Sequence, residues 1–363
     1  MSGIGQKVVL TVGFLLTALA LTHIADACTG IRLTAQDGSI VYGRTLEFPV
    51  SLDASLIMVP RSFEYIGTTA PDAQNGKKWS TKYAFTGMGA YDLPHVIDGM
   101  NEKGLAVGLF YFPNFAHYPA PTEQNKDQVI GPWELGTYLL SQYATVDEVR
   151  EGINSVTVAP VVLQQFGFVL PVHYVVHDAT GKSIVIEYVN GETIIHDNPL
   201  GVVTNAPTFD WHMTNLSNYN NISITNVPPL QLSGTKIIGL SQGTGLQGLP
   251  GDFTSPSRFV RAVTFSQSAV PSANGPEGVL QVFHILNQFD IPKGAVRDTV
   301  NNQTTIEYTP WTTVSDLKNK QFHYRTYENQ QVRRMDLLQM ELDGKEVLRF
   351  PLDNGPEIIQ KVG

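Results

Sequence analysis

One cysteine, Cys28, stands in a chain of 363 residues. That scarcity excludes an intramolecular disulfide and any zinc or iron–sulfur centre built on several thiolates. Charge is sparse as well. Asp, Glu, Lys and Arg make up 16% of the chain, and the formal net charge is -9. An acidic balance argues against a nucleic-acid partner and against an anionic membrane surface. Nowhere is there an apolar run of the about 20 residues that a spanning helix needs. Internal repeats, low-complexity tracts and convincing linkers are also lacking. What remains is ordinary globular composition, 42% hydrophobic, with ample length for a large core.

The first residues read as an export signal. Lys7 marks a short basic start, Val8 to Leu21 is an apolar stretch of 14 residues, and Ala25 and Ala27 form an A-x-A cleavage site. The expected organisation is a signal peptide over 1–27 and a single domain over 28–363, exported to the periplasm or the medium. Cleavage after Ala27 makes Cys28 the first residue of the mature chain. An oxidising compartment is where a lone cysteine calls for an explanation.

Three roles fit it. A lipoprotein anchor is acylated at such a cysteine, but Ala25 and Asp26 stand where Leu and a small residue are usual. A buried small apolar residue is ordinary for cysteine, yet a terminal ammonium is costly to bury without partners. A nucleophile gains from the position. The α-amine, with an ordinary pKa of about 8, can act as base for a thiol of about 8.5 on the same residue. No catalytic histidine is then needed.

Downstream, "CTGIRLTAQDGSIVYGRTLEF" reads as a hairpin turning at Asp37-Gly38. A two-residue loop would pair Gln36 with Ser39 and, in register, set Cys28 opposite Glu47, returning a carboxylate to the amine. Arg44 would face the other way unless a bulge at Gly43 brought it round. The alternative is a solvated Arg44–Glu47 pair on an edge strand.

With "GMGAYDLPHVIDGMNEKGLAVGLFYFP", "GVVTNAPTFDWHMTNLSNY" and the text from Ser241 to "SPSRF" added, the chain resembles the choloylglycine hydrolase family of bile salt hydrolases and penicillin V acylases. The resemblance runs over essentially the whole mature chain. It implies an α+β fold, a four-layer αββα N-terminal nucleophile hydrolase sandwich, and hydrolysis of linear amide C–N bonds without a cofactor or metal. Cys28 matches the nucleophile and Arg44 the arginine that orders it. Glu47 stands where most relatives have Asp at the α-amine. Asn205 matches the amide donor of the oxyanion hole, and Arg258 a second active-site arginine. Tyr111 occupies a place held by Asn in many bile-salt members and by Tyr in penicillin V acylases. The substrate expected first is a glycine- or taurine-conjugated bile acid. Penicillin V or another N-acyl compound, such as an acyl-homoserine lactone, comes second. A lipid-anchored binding protein using Cys28 as anchor is the alternative from another class. A small-molecule amide is the expected partner, and the retained length from Asn205 to Arg258 matches an assembly loop, so a homotetramer is expected.

Phe48, Tyr91, Phe110, Tyr111, Phe112 and Phe115 are candidates to line an acyl pocket, with about half expected in plain core packing. The G-x-G-x-x-G text at Gly243–Gly248 runs into "LPGDF", which breaks a helix, so a loop is expected and not a nucleotide site. His173 and His177 fall on a strand, where a structural or surface role is expected. His212 is not taken as a protease histidine, because a hairpin and not a helix follows Cys28. Helices are expected in "WELGTYLLSQYATVDEVREGINSV", with a capping box from Thr145 to Glu148, and as a pair in "SPSRFVRAVTFSQSA" and "EGVLQVFHILNQF".

Overall fold

The computed structural model describes residues 27–71, 73–300, 302–352 and 355. The expected signal peptide, Ala27 apart, lies outside the described residues. Strands of two large sheets are β1 (Thr29–Thr34), β2 (Ile40–Leu46), β3 (Ser55–Val59), β4 (Phe85–Gly89), β5 (Val96–Asn101), β6 (Ala106–Tyr111), β7 (Val172–His177), β8 (Ser183–Val189), β9 (Glu192–Asp197), β10 (Val202–Val203), β11 (Trp311–Asp316), β12 (Gln321–Thr326), β13 (Arg333–Asp336) and β14 (Leu348–Pro351). The α-helices are α1 (Leu135–Gln142), α2 (Val146–Gly152), α3 (Phe209–Asn215), α4 (Ser255–Ser268) and α5 (Gly275–Leu286).

One sheet runs β10-β1-β2-β11-β12-β13 and the other β9-β8-β7-β6-β5-β4-β3-β14, with antiparallel neighbours. They stack face to face: the Arg44 guanidinium of β2 lies 4.4 Å from the ring centroid of Phe110 on β6. Outside the first sheet, α4 lies on β1 and α5 on β2 and β11; outside the second, α1 lies on β5 and β6. This is the layered α+β sandwich the resemblance implies. Each sheet buries both faces, so apolar residues occur on both sides of β2 and β6.

The opening hairpin corrects one expectation. Its loop holds three residues, not two: Ala35 and Ser39 close it at 2.9 Å, and Gly38 takes φ +79°. Register is therefore Thr29 with Thr45 and Gly30 with Arg44. A one-residue slip turns every side chain to the other face. Glu47 is not the cross-strand partner of Cys28, and Arg44 reaches its side without a bulge. Gly43 is bare for another reason: a Cβ there would lie 2.5 Å from Val282 Cγ1 on α5.

Thr145 caps α2, its Oγ1 accepting the Glu148 N–H at 3.2 Å. The returning Glu148 carboxylate takes the Ala144 N–H at 2.7 Å, one residue earlier than a capping box requires. Gly243–Gly248 forms a loop with a short 3-10 turn at Thr244–Leu246, as expected.

Candidate active site

Cys28 enters β1 buried, on the wall of a cleft with about 720 Å³ of open space. Its backbone nitrogen, which follows Ala27 in this chain, donates to Asn205 Oδ1 at 2.7 Å. Arg44, on the matching face of β2, is fully buried. Its Nη1 donates to Leu109 O at 2.6 Å and its Nε to Thr45 O at 3.2 Å. Burial, the largest influence, opposes the charge, but Cys28, Asp98, Tyr42 and Glu47 together outweigh it and hold its pKa above the ordinary value. Asp98, on β5, takes a hydrogen bond from Thr313 Oγ1 at 2.5 Å.

The ladder explains why β6 serves this site. Phe112 donates to Pro171 O at 2.8 Å, which makes 112 a bonded position; Leu109 and Tyr111 then turn their backbone groups away from β7. Pairing with β5 stops at Gly108. The carbonyls of Leu109 and Tyr111 are taken instead by Arg44 and by Asn205 Nδ2, the latter at 2.8 Å.

Asn205 is clamped on several sides. Its N–H donates to Ser255 Oγ at 2.9 Å, and its carbonyl accepts from His212 Nε2 at 2.9 Å. Arg258, reaching in from α4, donates from Nη2 to Asn205 Oδ1 at 2.8 Å. Arg258 Nη1 meets the Cys28 carbonyl and Thr29 Oγ1, and Nε meets Phe253 O. One arginine thus fixes the first residue of β1 and the amide beside it. A lysine could not span these acceptors.

Glu47, just past β2, is buried, with Oε1 accepting from Thr309 Oγ1 at 2.9 Å. Burial pushes its carboxyl up to about 8, although Arg258 pulls the other way. Glu307 lies beside it, also buried, and accepts the Ala27 N–H; burial raises it to about 7. Two buried carboxyl groups therefore lie side by side just past β2, and one of them, Glu307, binds the backbone N–H that precedes Cys28.

Behind Asn205 lies a second polar layer. His173 Nε2 faces Thr204 O at 2.9 Å, and its Nδ1 faces Glu187 Oε1 at 3.1 Å. Glu187 also takes the Phe209 N–H at 2.9 Å, at the start of α3. Burial raises the Glu187 carboxyl, but hydrogen bonds from His173 and His196 outweigh this and hold it at about 2, below its ordinary 4.5. A depressed carboxyl contributes stability above 4.5 and loses it as pH falls toward 2. Glu187→Gln is expected to cost about 3–5 kcal/mol in denaturant unfolding at pH 7, since it breaks a buried charged network. The difference from wild type should shrink between pH 4.5 and 2. A constant difference across that range would show that the carboxylate charge is not what matters.

Phe48 and Tyr91 line the cleft, as does Tyr111. Phe110 does not. Strand alternation turns it away from Leu109 and Tyr111 and into the space between the sheets, beneath Arg44. Phe112 stacks on His173 at 4.4 Å between centroids, with Phe115 against it. His177 is buried against Tyr42, so its role is structural and not a surface one. Glu307, Thr309, Glu187 and Ser255 carried no local signal; each reaches the site from a distant part of the chain.

A model of the linear amide C–N hydrolases, choloylglycine hydrolase family, matches residues 28–350. The chain belongs to this family. It is 34% identical to a bile salt hydrolase/transferase of Clostridium perfringens over 325 residues, 89% of this chain and 96% of that protein. The crystal structure of a cysteine-to-alanine mutant of conjugated bile acid hydrolase from the same organism superposes with a TM-score of 0.83 at 32% identity, covering 93% of this chain and 100% of that one. Penicillin V acylase from Agrobacterium tumefaciens gives 0.70 at 25% identity, covering 89% and 91%. This choloylglycine hydrolase family member is accordingly a hydrolase acting on linear amide C–N bonds.

Proposed function

We propose that the mature enzyme begins at Cys28 and uses that residue to hydrolyse bile acids conjugated to glycine or taurine. The observation that carries this is the Cys28 nitrogen held 2.7 Å from Asn205 Oδ1, with its side chain on the wall of an apolar cleft. Removal of residues 1–27 turns that nitrogen into an α-amine. The amine takes the thiol proton, and the sulfur attacks the amide carbonyl carbon. The second N–H of Asn205 Nδ2 and the Tyr111 N–H stabilise the tetrahedral oxyanion. Collapse breaks the C–N bond, and the proton leaves with glycine or taurine. Water, giving its proton to the same amine, then cleaves the thioester and releases the bile acid. Arg44 and Arg258 favour the thiolate, and Glu47, with Glu307 beside it, offers the α-amine a carboxyl oxygen as acceptor.

Tyr111 supports a second reading, an acylase of penicillin V or of N-acyl-homoserine lactones, because its side chain takes up room in the cleft. Side-by-side kcat/KM values decide. Glycocholate and taurocholate should be turned over far faster than penicillin V or an acyl lactone; the reverse order would reject the first reading.

The enzyme is also proposed to be a homo-oligomer, a tetramer. Between α3 and α4 the chain exposes Ile224, Val227, Leu230, Leu232, Ile237 and Leu240, apolar side chains that an interface between subunits would cover. A monomer in sedimentation velocity would remove this proposal.

A further inference from the structure

Beyond the cleft at Cys28 lies a second pocket with about 760 Å³ of open space. Leu93, His95, Trp133 and Leu163 line both, so a single layer of side chains separates them. The near cleft is almost wholly apolar away from Cys28, Arg44 and Glu47. The far pocket is different: Glu64, Gln74, Gln164 and Gln165 contribute to its lining, and no lysine or arginine does.

We propose that the two form one bipartite acyl site, in which the apolar cleft holds the body of a large rigid acyl group and the far pocket receives its hydroxyl-bearing end. The inference rests on the bile-acid reading and narrows it to hydroxylated acyl groups.

The chemistry of the far pocket selects the occupant. Amide side chains both donate and accept, which suits neutral hydroxyls. With a glutamate present and no basic side chain in the lining, a distal carboxylate or sulfate is poorly matched. The dividing layer carries no charge. His95 is buried, and burial alone drives its pKa down to about 3. Its Nε2 faces Glu134 Oε1 at 3.7 Å, and Glu134 is anchored by the Thr68 N–H and hydroxyl and by the Gly131 N–H at 2.7 Å. Joining the two pockets requires these side chains to move aside, and with a neutral wall no ion pair has to be broken for that. Two of the four wall residues, Leu93 and His95, lie in the loop that leads into β5, where Tyr91 and Asp92 take φ values of +52° and +55°.

The test uses the mature enzyme and the double variant Gln164→Leu/Gln165→Leu. Both glutamines are exposed, so the fold is not at stake. Three substrates are compared by kcat/KM: glycocholate, 5β-cholanoylglycine (the same nucleus without hydroxyls) and N-phenylacetylglycine. Wild type should prefer glycocholate over its deoxygenated counterpart, and the variant should lose about ten-fold of that preference, as expected when hydroxyl partners are removed. N-phenylacetylglycine, too short to reach the far pocket, should not respond. An unchanged preference in the variant, with both steroid conjugates hydrolysed, would overturn the bipartite site alone. Turnover of N-phenylacetylglycine with neither steroid conjugate accepted would overturn the bile-acid reading as well.

Discussion

Cys28→Ala yields a folded protein with no turnover above background, a loss of about 10⁴-fold or more in kcat. No other group in the cleft can take its place. The chain holds no second cysteine, and His95, the histidine that lines the cleft, is buried and only weakly basic. Cys28→Ser is the sharper version. It keeps the size, the α-amine and the contacts of the backbone nitrogen, and changes only the ease of ionisation. The serine variant should retain native unfolding behaviour and fall far below wild type in rate. Wild-type activity in either variant would remove Cys28 from the mechanism.

Asn205→Ala is expected to lower kcat by about 10²–10³, the usual cost of one oxyanion donor. It does more than delete a donor. Asn205 Oδ1 accepts from both Cys28 N and Arg258 Nη2, so alanine also leaves these groups without their acceptor. Asn205→Asp separates the two effects. The aspartate keeps an oxygen for Cys28 and Arg258 but has no N–H to offer the oxyanion. Its kcat should fall nearly as far as that of the alanine variant, with KM little changed. A near-normal kcat for Asn205→Asp would mean that Asn205 only positions the terminus.

Much of this site was legible because its signals are local. Reading residues 1–27 as an export signal draws attention to Cys28, and Asp37-Gly38 announces a hairpin that carries Arg44 and Glu47 back toward it. Register was not legible. A D-G pair also fits a three-residue loop with glycine last, and the difference of one residue decides whether Glu47 or Arg44 shares a face with Cys28. Phe110 was misplaced for a related reason. On a strand buried on both faces, every position is apolar, so composition does not say which side faces the cleft. The layer formed by His173, Glu187, His212 and Ser255 depends on contacts between residues far apart in sequence, and no spacing encodes it. Glu307 is the clearest case: it meets Ala27 and Glu47 only because the strands around it have folded.

As proposed, Cys28 is the first residue of the working enzyme and carries its acyl intermediate. Intact mass of protein from an exporting host, quenched during turnover of glycocholate, tests this most directly. The expected mass is that of residues 28–363, with a fraction heavier by one cholyl group that maps to the Cys28 sulfur and is released by hydroxylamine. Active protein that retains residues before Cys28, or that bears lipid on its amine, would contradict it.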